Sequence, residues 1–409
     1  MSNTLTSLVA VEQDTKPIKG IRLATACAGI KQTERDDVTL IELAEGSVCV
    51  AVFTQNCFCA APGVLAKQHL QQTSPRYLLI NSGNANAGMG AIGLDDAKTS
   101  CRELSARTKV DETSILPFST GVIGERLAVD KITAVMDELV LDLAEDHWSA
   151  AATAIMTTDT VEKIASVQFE SGGQIGTVSG IAKGSGMIHP DMATMLAYIA
   201  TDAKVDDGIL SHCLNKAVAQ SFNCITVDGD TSTNDACVLM ATGQSSLEVS
   251  GVDSAAYQAL STAVDSVCQA LALAIVADGE GATRLVHIEV TGGQSQQECR
   301  KVADTVALSP LVKTAFFAQD PNWGRVLAAV GRAGIDDLNT EKVTLHLNDV
   351  LIAENGSRAA SYNEQAAKQV MQRREYCLCI ELGRGTETAR VSTCDLSYDY
   401  VRINAEYRS

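Results

Sequence analysis

The segment Lys183-Gly184-Ser185-Gly186-Met187-Ile188-His189-Pro190-Asp191-Met192-Ala193-Thr194-Met195-Leu196 is the densest concentration of chemically useful residues in the chain. A glycine-rich stretch and a proline lead to a small-residue pair, Ala193-Thr194. An apolar run suited to a buried strand follows, Leu196-Ala197-Tyr198-Ile199-Ala200. This order of residues is what a chain needs to cut itself. The loop supplies bend, Ala193 leaves its carbonyl open to attack, Thr194 supplies the hydroxyl, and the strand holds it. A threonine freed at a new N-terminus would carry its own base, since an α-amine titrates near about 7.7–8.0 and is partly neutral at pH 7. Taken alone, the same residues also suit an ordinary loop entering a buried strand.

Three other segments invite chemistry. Residues 82–93 hold Gly88-Met89-Gly90-Ala91-Ile92-Gly93 between a strand and a helix, the spacing of a phosphate-binding turn. The acidic residue expected about 20 positions later for ribose binding falls in what reads as a helix end, so a structural or substrate-shaping turn is favoured. Asp228-Gly229-Asp230-Thr231-Ser232-Thr233-Asn234-Asp235 offers oxygen ligands at alternate positions, but Thr233 and Leu239 stand where a calcium loop needs Gly and Glu. A hydrogen-bonded polar turn fits better. Gly184-Ser185-Gly186 lacks the spacing of a hydrolase nucleophile elbow, and nothing identifies an acidic partner for His189.

The elements that must position these residues alternate between strand and helix. Residues 38–43 and 48–53 are β-rich and read as a hairpin around Ala44-Glu45-Gly46-Ser47. Residues 76–81 form another apolar run, and a helix is expected over 94–108. Ile132, Val135, Met136, Leu139 and Leu143 mark one face of a helix, as do Leu210, Leu214, Ala217, Val218 and Ser221. Tyr257, Leu260, Val264, Val267, Cys268 and Leu271 mark a third. Strands return at 343–347, 376–382 and 388–393, with a helix at 364–372 between the first two. The mixture predicts an α/β or α+β layered sandwich rather than a purely doubly wound sheet.

Composition narrows the class of protein. Hydrophobic residues make up 46% and charged residues 20% of the 409, which excludes intrinsic disorder. A net charge of −18, from 32 basic and 50 acidic residues, argues against non-specific nucleic-acid binding. The longest charge-free stretch, 46–66, is interrupted by Thr54, Gln55, Asn56, Pro62 and Gly63, so no membrane span is expected. The N-terminus lacks the basic, then apolar, order of a signal peptide. The 13 cysteines include no C-x-x-C pair, which leaves zinc ligation by the usual spacings unsupported. Runs such as Val48-Cys49-Val50 and Tyr376-Cys377-Leu378-Cys379-Ile380 read as small reduced core hydrophobes in a cytoplasmic protein.

The segment ending in Ala193-Thr194 resembles the autocleavage motif of the ornithine acetyltransferase family, the glutamate/ornithine N-acetyltransferases of arginine biosynthesis. Further matches are Ala28-Gly29-Ile30-Lys31, Ser82-Gly83-Asn84-Ala85-Asn86-Ala87-Gly88, Ser119-Thr120-Gly121-Val122-Ile123-Gly124 and Ile155-Met156-Thr157-Thr158-Asp159-Thr160. Residues 228–235, Asp278-Gly279-Glu280-Gly281-Ala282-Thr283, Asp320-Pro321-Asn322-Trp323-Gly324-Arg325 and the tail Asn404-Ala405-Glu406-Tyr407-Arg408-Ser409 complete the series. The resemblance implies an αββα sandwich of the N-terminal-nucleophile type. It implies cleavage between Ala193 and Thr194 into an α chain, 1–193, and a β chain, 194–409, in a heterotetramer of two of each.

By the same resemblance Thr194 is the nucleophile, and Thr120 and Gly121 form the oxyanion hole. Thr157, Lys183, Thr194, Glu280, Asn404 and Ser409 bind substrate. N2-acetylornithine and glutamate are the substrates, no cofactor or metal is implied, and the enzyme is cytoplasmic. Whether acetyl-CoA also donates is left open, since monofunctional and bifunctional relatives share these motifs. His189 and Asp191 stand where relatives commonly carry Ala and Asn, which bears on cleavage rate. Two rival classes are a self-cleaving Thr-nucleophile amidohydrolase or aminopeptidase, which hydrolyses rather than transfers, and a non-catalytic amino-acid-binding protein, which is not cut.

Overall fold

A computed structural model describes residues 15–30, 34–189 and 195–406. The chain divides into two compact units, Met1–Asn223 with Asp230–Ile275, and Cys224–Gly229 with Val276–Ser409. These are units of packing. The expected pieces 1–193 and 194–409 are units of covalent chain, and their boundary falls elsewhere.

The first unit is built in four layers. One sheet has the order β1 (Ile21–Ala26), β2 (Val38–Leu43), β4 (Tyr77–Asn81), β5 (Ile115–Ser119). The other has the order β3 (Val48–Phe53), β11 (Ala236–Ala241), β8 (Leu196–Thr201), β7 (Gln174–Lys183), β6 (Lys163–Ser171). A small pair, β9 (Lys204–Val205) with β12 (Glu248–Val249), flanks them. Alternation along each strand decides which residues enter which layer. Leu23, Ile41 and Leu78 pack against Tyr198, Val238 and Met240 between the two sheets. Their neighbours Ala24, Leu40 and Leu79 face outward, onto α2 (Gly90–Thr108), α3 (Val129–Ala134) and α4 (Met136–Leu141).

On the far side of the five-stranded sheet lie α6 (Asp207–Gln220) and α7 (Ala255–Ala277). A Cβ at Gly180 would sit 3.1 Å from Val267 and 3.2 Å from Leu271, so glycine lets α7 approach closely. α1 (Ala61–Leu70) packs on β5, and α5 (Trp148–Ala154) on β1. This is the αββα sandwich the sequence led us to expect. α7 is long and apolar enough to cross a membrane by length and composition, yet its stripe Leu260, Val264, Val267 and Leu271 is buried in the core.

Two expectations need correction. Strands 38–43 and 48–53 do not form a hairpin. β1 and β4 occupy both edges of β2, so the chain turns at Gly46 (φ +84°) and crosses to the other sheet, where β3 pairs with β11. The single helix over 132–143 is two short helices. The segment Ile132-Thr133-Ala134-Val135, β-branched at three of its four positions, tightens at Val135, whose N–H bonds back to Ile132 O (3.3 Å). The apolar face survives the break, with Ile132, Met136 and Leu139 all buried.

The second unit is a seven-stranded sheet with helices on one face. Its order is β10 (Ile225–Thr226), β18 (Glu387–Cys394), β13 (Leu285–Gly293), β17 (Glu375–Glu381), β14 (Thr344–Leu347), β15 (Val350–Glu354), β16 (Ser357–Arg358). α8 (Gln296–Ala307), α9 (Pro310–Phe317), α10 (Trp323–Gly331) and α11 (Glu364–Met371) cover the face carrying Val286, Ile288, Leu378 and Ile380. α12 (Tyr398–Glu406) closes the described chain. Ser295 caps α8 by accepting from Glu298 N–H (3.1 Å), and Pro310 opens α9. Neither α8, α9 nor α10 is foreseen above. Seven of the 13 cysteines are buried, as core packing requires, but Cys377 and Cys379 lie half-buried on the face away from the helices.

Candidate active site

β5 ends at Ser119 and delivers Thr120-Gly121 to a turn pressed against the loop after β4. Gly121 has φ +134°, and a Cβ there would lie 2.3 Å from Gly83 C and 2.5 Å from Asn84 N. Only glycine fits. The Gly/Asn segment 82–93 is the scaffold of this turn. Asn81 Nδ2 donates to Asn84 O (2.8 Å), Ser119 Oγ donates to Asn81 Oδ1 (2.6 Å), and Asn86 Nδ2 donates to Gly93 O (2.9 Å). Asn234, from the acidic segment read as a polar turn, donates to Ala85 O (2.7 Å) and Ser119 O (2.9 Å). The backbone N–H of Thr120 is committed to Asn81 O (3.0 Å), whereas that of Gly121 has no backbone acceptor among the described residues. The donors this turn leaves without a backbone acceptor are therefore the Gly121 N–H and the Thr120 hydroxyl. In Gly121→Ala, overpacking should cost about 1–3 kcal/mol. A thermal unfolding midpoint equal to that of the parent protein would contradict the close approach.

The second cluster forms around a buried carboxylate. Asp159 accepts from Thr157 N–H (3.0 Å), Gly184 N–H (2.7 Å) and Lys163 Nζ (2.7 Å), and Lys183 Nζ lies 3.9 Å away. The side chains of Asp159 and Lys163 are fully buried, and that of Lys183 is 10% exposed. Burial alone would favour a neutral Asp159. Lys183 and Lys163 outweigh it, with hydrogen bonds from Lys163 and the Gly184 N–H, and hold the carboxyl well below its usual range. The β6–β7 hairpin turns through Gly172-Gly173, both at positive φ, and sets Lys163 opposite Ala182, one residue before Lys183. Ser82 Oγ donates to Ala154 O (2.8 Å), tying the Gly/Asn segment to the chain that leads into Thr157.

Lys183 closes β7 and pairs directly with Leu196, the first residue of β8. The motif segment thus joins two central, antiparallel strands of one sheet. Within it Met187 adopts φ +56°, an uncommon conformation for a residue with a side chain. Ser185 is buried and His189 half-buried. Ala193, Thr194 and Ser409 lie outside the described residues.

In the second unit the turn between α7 and β13 brings Glu280 to α12. Asn404 Nδ2 donates to Glu280 Oε2 (2.7 Å) and to Tyr400 O (3.0 Å). A Cβ on Gly281 (φ +69°) would meet Ser397 Oγ and Tyr400 N, both at 2.6 Å. Thr283 and Arg284 N–H groups both donate to Asp395 (2.7 and 2.9 Å) and fix the outgoing chain. Two residues far apart in sequence, Glu280 and Asn404, are thereby paired.

A family model described as the ArgJ family matches residues 22–409. The chain belongs to the ArgJ family. It is 57% identical over 393 residues to the arginine biosynthesis bifunctional protein ArgJ of Methylococcus capsulatus, covering 96% of both chains. It is 53% identical over 394 residues to the ArgJ protein of Pseudomonas fluorescens, covering 96% of this chain and 97% of that one. The crystal structure of ArgJ from Bacillus halodurans is 37% identical and covers 50% of this chain and 96% of that chain, with a TM-score of 0.48. The motifs read above therefore lie within an ArgJ match that extends nearly from end to end. The sequence motifs assign no role to Asp159 or Lys163. Lys163 carried a signal, a charge at an inward position of the alternating strand Lys163–Ser171.

Proposed function

We propose that this chain transfers an acetyl group from N2-acetylornithine to glutamate through an acetyl-threonine intermediate on Thr194, after cutting itself between Ala193 and Thr194. That it is an enzyme of arginine biosynthesis follows from the ArgJ family; the proposal concerns its chemistry. The observation that carries it is the Lys183 ammonium, fixed on buried Asp159 and set opposite Leu196, two residues beyond Thr194 in sequence.

The α-amine of Thr194 takes the Oγ proton as Oγ attacks the acetyl carbonyl carbon. The Gly121 N–H and Thr120 hydroxyl receive the developing oxyanion, and losing one such donor typically costs about 10²–10³ in rate. Collapse breaks the C–N bond, the proton passes to the departing ornithine amine, and an acetyl ester remains. The glutamate amine attacks that ester, and Thr194 is regenerated. Lys183 suits a substrate carboxylate or the oxyanion, and Glu280 the ornithine ammonium. Acetyl-CoA acetylates the same threonine as a second donor. The working assembly is two α and two β chains.

Purified protein given acetylornithine and glutamate should yield acetylglutamate and ornithine in equal amounts, and acetylglutamate again when acetyl-CoA replaces acetylornithine. Acetate in place of acetylglutamate would favour the amidohydrolase reading. Glu280→Gln loses a charge-assisted contact worth roughly 1.5–3 kcal/mol, so KM for acetylornithine should rise about tenfold or more while glutamate kinetics change less. An unchanged KM removes Glu280 from the site.

A further inference from the structure

We propose that Cys377, Cys379 and Glu289, on the face of the seven-stranded sheet opposite α8 to α11, form a binding site for a thiophilic divalent cation such as zinc. The ligand atoms of the three residues all lie within 4.8 Å of one another. Cys377 Sγ is 3.3 Å from Cys379 Sγ and 3.7 Å from Glu289 Oε2. Alternation along β17 sends Tyr376, Leu378 and Ile380 into the core and both thiols to the other face. Parallel pairing with β13 puts Glu289 directly opposite Cys379.

The spacing suits a metal. With Zn–S near 2.3 Å and tetrahedral angles, two thiolates sit about 3.8 Å apart. The sulfurs need to open by only about 0.5 Å on that geometry. A disulfide would instead need them about 2.05 Å apart. Binding replaces two thiol protons, released to solvent, by one cation, with no change of oxidation state. Water takes the fourth position. His287, opposite Cys377, is committed, its Nδ1 to Ser392 Oγ (2.8 Å) and its Nε2 to Glu375 Oε1 (2.9 Å). Arg390, opposite Glu289 on β18, favours the thiolates but repels the cation, which implies weaker binding than a closed four-cysteine site. C-x-x-C spacing does not mark this group, whose two cysteines are only two positions apart and whose third member comes from a neighbouring strand.

The test is a titration of the reduced, full-length protein with zinc against a chromophoric chelator, with cadmium added separately to read thiolate charge transfer in the ultraviolet. One equivalent should bind, and cadmium should give a thiolate band. Cys377→Ser and Cys379→Ser should each weaken binding by at least about tenfold, the lower end of what even outer-shell changes cost, and Glu289→Gln should weaken it while retaining the band. The other C-x-C pair, Cys57 and Cys59 in an exposed loop, is the internal control, and Cys57→Ser/Cys59→Ser should bind as the parent does. Zinc-free acetyl transfer should persist in every variant, which reports folding independently of the metal. Absence of zinc binding, binding as tight as the parent's in the Cys377 or Cys379 variant, or loss of binding in the Cys57/Cys59 variant would overturn the proposal.

Discussion

A Thr194→Ala protein should be recovered as one uncut chain, whereas the parent should give two pieces, 1–193 and 194–409, with threonine at the new N-terminus. Intact-mass spectrometry distinguishes them. Acetyl transfer should fall by at least about 10³-fold, because the nucleophile and its neighbouring amine are lost together and residues acting as one unit fail as one. Thr194→Ser keeps a hydroxyl and should still cut. The motivation is the motif segment's place between β7 and β8, with Lys183 opposite Leu196. A Thr194→Ala protein that splits at the same bond would rule out Thr194 as the group that cuts.

Asp159→Asn should remove most activity and much stability at once. It leaves the Lys163 ammonium, fully buried, without its carboxylate. Breaking a buried pair in this way costs about 3–5 kcal/mol, or roughly 6–20 °C in Tm at about 2–4 °C per kcal/mol. Replacing Lys163 by Met as well should recover part of the stability, since one stranded charge is gone, but not the turnover, since Lys183 still lacks its anchor. That split separates a positioning role from a merely structural one. Unchanged kcat/KM in Asp159→Asn would remove Asp159 from the mechanism. The pH dependence follows from the sign of the shift. Asp159 is held below its unfolded value of about 3.9, so its contribution is present above that value and is lost as pH falls towards the lower folded one. Mild acid should therefore leave this cluster ionised.

The sequence revealed the strands and long helices wherever apolar periodicity was clean. Leu196–Thr201 and Ala255–Ala277 are as expected. It failed where the outcome depended on partners. Nothing in residues 38–53 says that both edges of β2 are already taken, so a turn signal at Gly46 looked like a hairpin. The roles proposed for Thr120, Gly121, Lys183, Glu280 and Asn404 rest on motif resemblance. The groups that hold them in place have no such signal, because Asp159 reaches Lys183, and Asn81 and Asn234 reach Ser119, across separations that spacing cannot reveal. Asn234 holds Ser119 from 115 positions away.

The five-stranded sheet has the order β3, β11, β8, β7, β6. Assigned to the two expected pieces, that order reads first, second, second, first, first. Strands of one piece are hydrogen-bonded to strands of the other along two seams, β3 with β11 and β8 with β7. Once cut, the molecule would become an obligate partnership whose members share a single sheet, and neither could complete its own. Its unfolding would then obey mass action. The midpoint should rise with protein concentration, and recovery from denaturant should be second order, as for association of two strangers, whereas an uncut Thr194→Ala chain should refold at a rate independent of dilution.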